Sequence, residues 1–191
     1  MISSQLIVVY LLFLLTASAE VSYASNDELP VVRNIRELNQ DGETIPGISH
    51  ITVAGALSHG FKEIEVWLET VAPGGHTPVH RHDCEEIFVV VKGSGTLYLA
   101  STTGSEFPGS PKEFPFSTNS TFHVPQNDAH QVWNTNRFED LQYFVVISRP
   151  PMNLFVYEDW LTPHSAAVPV FPVMWDAKHY KSSSSASSDE L

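Results

Sequence analysis

Short segments along the middle of the chain alternate apolar with polar residues or run unbroken through apolar ones. Residues 64–71, 87–91, 96–100, 121–124 and 141–148 carry these patterns. A two-residue period marks a half-buried β-strand, and a short apolar run between turn signals marks a fully buried one. Pro73-Gly74-Gly75, Lys92-Gly93-Ser94-Gly95, Phe107-Pro108-Gly109-Ser110-Pro111 and Arg149-Pro150-Pro151 separate the segments. Glycine supplies positive φ and proline pre-sets φ, so these are turns. Short strands with this punctuation predict a sandwich or barrel. Residues 175–181 predict one short C-terminal helix. With no internal repeat and no linker, residues 20–181 form one all-β domain.

The two ends break the pattern. Residues 6–15 are apolar without alternation, a run too short for a membrane span of about 20 residues. Ala17-Ser18-Ala19 follows, with small residues where a signal peptidase reads, so residues 1–19 are expected to be a signal peptide. Residues 182–191 are serine-rich and predict a flexible tether. The tether closes on Asp189-Glu190-Leu191, similar to the Lys-Asp-Glu-Leu retrieval signal of the endoplasmic reticulum, with Ser188 in the lysine's place. The expectation is residence in the reticulum lumen through the retrieval receptor, with partial export because that cation is missing. No transmembrane segment is expected once the leader is removed.

Composition narrows the partners. Ten Lys and Arg against 22 Asp and Glu give a net charge of −12 over 191 residues. That balance excludes a nucleic-acid binder, which needs a basic footprint, and disfavours docking on anionic membranes. Cys84 is the one cysteine, so no intrachain disulfide forms even though both ends point to an oxidising compartment.

The chemistry concentrates in Gly74-Gly75-His76-Thr77-Pro78-Val79-His80-Arg81-His82-Asp83-Cys84-Glu85-Glu86, continuing to Gly93. His80 and His82 are two apart, so a strand points both imidazoles to one face. Glu86 keeps that parity and joins them after a local bend. His130 lies 44 residues beyond Glu86. Three imidazoles and one carboxylate suit Zn, Mn, Fe, Ni or Cu. Cys84 shares the parity but reads as a buried, inert thiol. Trp67 and Glu69 share a strand face, Phe88 follows Glu86 at even spacing, and Trp175 lies in the last aromatic segment. Such groups can line an apolar cavity with a metal at its polar end, a setting for a small aromatic acid.

The first segment resembles the cupin motif Gly-x5-His-x-His-x3-Glu-x6-Gly at Gly74, His80, His82, Glu86 and Gly93. The second cupin motif is similar around Pro125, His130 and Asn134, with Asn127 where many cupins have glycine. The resemblance implies a cupin jelly-roll β-barrel with His80, His82, Glu86 and His130 as metal ligands. Further stretches match more closely: Gly47-Ile48-Ser49-His50-Ile51-Thr52-Val53-Ala54-Gly55, Glu65-Val66-Trp67-Leu68, His130-Gln131-Val132-Trp133-Asn134, Ile147-Ser148-Arg149-Pro150-Pro151 and Tyr157-Glu158-Asp159-Trp160. With them the chain resembles the plant auxin-binding proteins of the endoplasmic reticulum, relatives of the germins.

That resemblance implies a zinc ion, a homodimer, and an auxin receptor that binds indole-3-acetic acid with the carboxylate on the metal and carries no catalytic residue. It places the ligand pocket on Ile45, Ile48, Trp67, Thr77, Pro78, Phe88, Leu154 and Trp175. The family glycan falls on Asn119, in the one Asn-x-Ser/Thr sequence of the chain. Three positions depart from the family. Its N-terminal to C-terminal disulfide is replaced by Ser25 and His179, Glu69 stands where glutamine is usual beside the bound carboxylate, and His76 stands at the cavity approach. Glu69 and His76 are therefore expected to modulate ligand affinity. The alternative reading is a germin-like Mn or Fe metalloenzyme of oxidase or superoxide dismutase type; a third is a lumenal cupin without a ligand.

Overall fold

The computed structural model describes residues 29–41 and 45–180. The expected signal peptide and serine-rich tail lie outside them. Among the described residues, eleven strands form two antiparallel sheets. Five strands, in the order β1 (Ile48–Ala54), β2 (Ile64–Val71), β9 (Leu141–Ser148), β4 (Glu86–Lys92) and β7 (Thr121–Val124), make one sheet. The other runs β11 (Val168–Val170), β10 (Leu154–Tyr157), β3 (Val79–His82), β8 (Ala129–Trp133), β5 (Ser94–Ala100) and β6 (Lys112–Ser117).

The alternation seen in the sequence sets the inner faces. Along β9, Leu141, Tyr143, Val145 and Ile147 are fully buried while their neighbours are half-buried. Across the register their neighbours are Trp67 and Glu69 on β2 and Phe88 and Val90 on β4. These side chains meet Leu97, Val132 and Leu154 of the second sheet in one core. Aligned sheets with interdigitated inner faces are the sandwich arrangement. The all-β expectation holds in this fold.

Two turn positions explain motif residues. Gly93 alone joins β4 to β5 at φ +82°, and a Cβ there would lie 2.5 Å from the Asp140 carbonyl oxygen. Only glycine fits such a turn without strain. Asn127, where many cupins have glycine, also has positive φ, at 65°, a conformation asparagine tolerates better than most residues.

The predicted C-terminal helix is not formed. Residues 174–179 are turns, closed by hydrogen bonds from Asp176 N to Val173 O and from His179 N to Asp176 O. A single short helix gains too few internal hydrogen bonds to repay its nucleation. Here the buried side chains of Val173 and Trp175 hold the segment against the core instead. Among the described residues, no helix is long and apolar enough to cross a membrane.

Candidate metal centre and its cavity

β3 carries His80 and His82 on one face, and His80 stands directly opposite His130 of β8. The chain then bends through Asp83–Glu85 and crosses to the other sheet, where Glu86 opens β4. The bend is pinned by Asn153, whose Nδ2 donates to Asp83 Oδ2 at 2.9 Å, and by Arg149 and Gln126, which donate to the Asp83 carbonyl. The expected local bend therefore falls between strands of different sheets. It brings a carboxylate from one sheet against three imidazoles from the other.

All three imidazoles are oriented by the backbone. Nδ1 of His80, His82 and His130 lies 2.8, 3.0 and 3.0 Å from the carbonyls of Pro78, Cys84 and Asp128. A carbonyl accepts only, so Nδ1 carries the proton in each ring and the Nε2 lone pair of the neutral ring is left to bind. Nε2 of His82 and of His130 approach Glu86 Oε2 at 3.1 and 3.2 Å. The ligating atoms of His80, His82 and His130 lie within 4.8 Å of one another. His130 Nε2 is buried, and despite its distance to Glu86 it makes no well-directed hydrogen bond. With all three rings neutral, three lone pairs and a carboxylate oxygen converge with no donor among them, an arrangement suited to a cation.

The electrostatics say the same. Burial opposes charge on Glu86, yet the imidazoles of His82 and His130 hold its carboxyl well below the usual range. Burial also opposes charge on His82, but the Glu86 carboxylate and hydrogen bonds to Cys84 and Glu86 raise it to about 10. Burial, followed by the charges of His130 and His82, pushes His80 well below its ordinary value. The residues fit a divalent ion of borderline softness. Cys84 is 1% exposed, and its Sγ lies 3.4 Å from Nδ1 of His82, on the side of the ring away from Nε2.

A narrow cavity adjoins the group. His80 and Glu86 line it at the metal end. Every pocket residue expected from the resemblance (Ile45, Ile48, Trp67, Thr77, Pro78, Phe88, Leu154 and Trp175) lines it too. Trp67 donates Nε1 to Glu65 Oε1 at 2.8 Å and meets Trp175 edge to face at 5.0 Å. Phe88 stacks on Phe122 at 4.5 Å. Nε1 of Trp175 is buried without a partner among the described residues.

The two expected modulators separate. Glu69 lines the cavity, whereas His76 does not. The ring of His76 lies instead against Trp133, with Nδ1 2.9 Å from the Thr77 carbonyl and 3.1 Å from Gln131 Nε2. Its backbone pairs with Trp133 in an isolated bridge. Sequence reasoning missed His50, which is fully buried, stacks on Trp175 at 3.9 Å and sits 3.3 Å from Glu69 Oε1. The available signal was its parity with Ile48 on a strand. Val132, Val145 and Met152 complete the lining, and nothing in their local pattern distinguished them from core. Asn119 is exposed at the turn joining β6 to β7.

Comparisons with known proteins agree with this architecture. Solved structures of similar fold include a sugar phosphate isomerase of the cupin superfamily from Silicibacter pomeroyi (17% identity, TM-score 0.51, 72% of this chain and 90% of that one). Another is a double-stranded β-helix protein from Klebsiella pneumoniae (12% identity, TM-score 0.51, covering 68% and 98%). At sequence level the chain is 56% identical over 178 residues to auxin-binding protein T85 of Nicotiana tabacum, covering 93% of this chain and 95% of that one. It is likewise 56% identical to auxin-binding protein 1 of Arabidopsis thaliana, covering 91% and 89%. These relatives are named as binding proteins, not enzymes. The family described as Auxin binding protein matches residues 21–191; with its cupin architecture and a histidine group able to hold a metal, the chain belongs to the auxin-binding protein family.

Proposed function

We propose that the protein is a zinc-dependent receptor for auxin, indole-3-acetic acid, in the lumen of the endoplasmic reticulum. The observation that carries this reading is the junction of a cation-demanding His80–His82–Glu86–His130 group with an aromatic-walled cavity. A zinc ion held by those residues supplies a positive charge and an open position for a ligand carboxylate. The chain's own residues do the rest. The Nδ1 hydrogen bonds hold the three rings in one tautomer and orientation. Trp67, Phe88 and Trp175 offer ring faces to an aromatic ligand, and Ile45, Ile48, Pro78 and Leu154 exclude water around it. No residue is assigned as a catalytic acid or base.

Lumenal residence is supported by the apolar leader and the Asp-Glu-Leu ending, and it makes Asn119 a usable glycan acceptor. A homodimer belongs to the same reading. It is supported by the outer face of the five-stranded sheet, where Ile64, Ile87, Val89 and Val91 are exposed. Pairing that face with itself across a two-fold axis removes the apolar row from water.

Metal analysis of the purified protein, combined with calorimetric titration of indole-3-acetic acid, tests the function. Zinc with saturable binding supports it. Manganese or iron with turnover of a small acid or superoxide would favour the germin-like enzyme, and zinc with no heat of binding would leave a cupin without this ligand.

A further inference from the structure

Three cross-strand rows succeed one another on the inner face of the five-stranded sheet. Glu86 of β4, Ile147 of β9 and Glu65 of β2 form the first. Phe88, Val145 and Trp67 form the second. Val90, Tyr143 and Glu69 form the third, in which Tyr143 donates its hydroxyl to Glu69 Oε2 at 2.8 Å. All three members of the second row line the cavity, so it presents an aromatic side chain on either side of Val145.

Those two aromatic rings are held by different means. Phe88 lies nearly parallel to Phe122, with centroids 4.5 Å apart. The Trp67 ring meets His50 at 5.1 Å and Trp175 at 5.0 Å, both edge to face. Ring contacts of this kind tolerate a range of tilts, whereas a hydrogen bond weakens steeply once it is bent. The tilt of Trp67 is therefore set by its Nε1, which donates to Glu65 Oε1 at 2.8 Å.

Glu65 is itself fixed. It is 2% exposed, and its other oxygen accepts from the Ala56 backbone N–H at 3.4 Å. A Cβ at Gly55 would lie 3.3 Å from Oε1, so the backbone there closes in on the same carboxylate. Burial raises the Glu65 carboxyl, and the N–H groups of Trp67 and Ala56 oppose that rise. Glu65 neither lines the cavity nor belongs to the metal group.

We propose that Glu65 is a positioning residue for ligand binding, holding the Trp67 indole at one tilt so that an aromatic ligand meets a preset wall. A wall fixed in advance spares the ligand the cost of ordering it. The inference rests on the aromatic-acid reading above. Glu65 touches neither metal nor ligand and acts through Trp67 alone.

The test is calorimetric titration of the zinc-loaded full chain with indole-3-acetic acid, with metal content measured in each variant. Glu65→Leu leaves the Trp67 N–H without its acceptor and is expected to weaken binding about fivefold or more. In a Trp67→Phe background, where no N–H is present, the same substitution is expected to change affinity by about twofold or less. Glu65→Gln keeps an acceptor oxygen and is expected to recover affinity to within about threefold of wild type. A residue that only supports the fold would weaken binding equally in both backgrounds, and that result overturns the inference. So does unchanged affinity in Glu65→Leu, or a loss that follows loss of zinc. A second measurement needs no change at Glu65. In indole proton NMR of the wild-type chain, assigned through Trp67→Phe, the Trp67 N–H is expected to stay protected from exchange with and without the acid. Exposure of that proton in either state overturns the inference and leaves the aromatic-acid reading standing. Absence of binding in the wild-type chain overturns both.

Discussion

At the scale of single residues, the metal group follows from which nitrogen of each imidazole is free. Backbone carbonyls of Pro78, Cys84 and Asp128 claim Nδ1 of His80, His82 and His130, so each neutral ring can bind only through Nε2. His82→Ala removes one of these and leaves Glu86 buried beside fewer positive partners. Zinc affinity, read by competition with a chromogenic chelator, is expected to fall by at least about 100-fold. Retention of wild-type affinity would contradict the assignment. These four residues were legible in the sequence because His-x-His with a carboxylate at matching parity is a local pattern. The partners of Glu69 were not. Tyr143 lies 74 positions away, and nothing in either segment says that β2 and β9 pair. His50 was passed over because a lone buried histidine carries no local signature.

Elements were legible in proportion to how much apolar surface they bury. β2, β4, β5, β7 and β9 are the segments in which the sequence showed alternating or unbroken apolar residues. β6 and β11 are edge strands that contain Pro115 and Pro169 and bury little, so their pattern is faint. β1 directs Ile48, His50 and Thr52 inward, and two polar residues on the core face hide its alternation. β3 has the same difficulty, since histidines occupy its inner face. The C-terminal segment illustrates tertiary packing overriding a local reading, because the buried Trp175 fixes it as turns. It also carries a cost: Asp176 is buried with Oδ1 unpartnered, and burial plus the charges of Glu65 and Asp41 raise its pKa to about 7. The native state therefore binds this proton more tightly than the unfolded chain. The stabilising effect is complete below about pH 4 and is lost as pH rises through about 7. Asp176→Asn is expected to stabilise the protein at pH 8 by on the order of 1–2 kcal/mol, discounted for residual solvent access. At pH 4 it should change little, and denaturant melts at both values check this.

At the scale of the whole molecule, the metal group joins the two sheets. His80, His82 and His130 come from the six-stranded sheet and Glu86 from the five-stranded one. A cation bound there is a cross-link that the unfolded chain lacks, in a fold without a disulfide. Zinc at 100 times its dissociation constant should add about 2.7 kcal/mol. Chelation is then expected to lower Tm by roughly 5–10 °C for a chain of this size, as scanning calorimetry would show. The net charge of −12 excludes nucleic acid but not an acidic ligand, because a metal supplies local positive charge that the total conceals. The outer-sheet pairing proposed for the dimer predicts that Val89→Glu yields monomers by light scattering. An unchanged dimer would move the interface elsewhere.

The central claim, that metal group and aromatic cavity act as one binding site, is tested most directly by titrating indole-3-acetic acid into the same preparation with zinc and after zinc removal. The account predicts saturable binding at one site per chain with zinc, and loss of that binding on removal while the fold persists at the temperature of measurement. Binding of equal strength without zinc, or none in its presence, would contradict it.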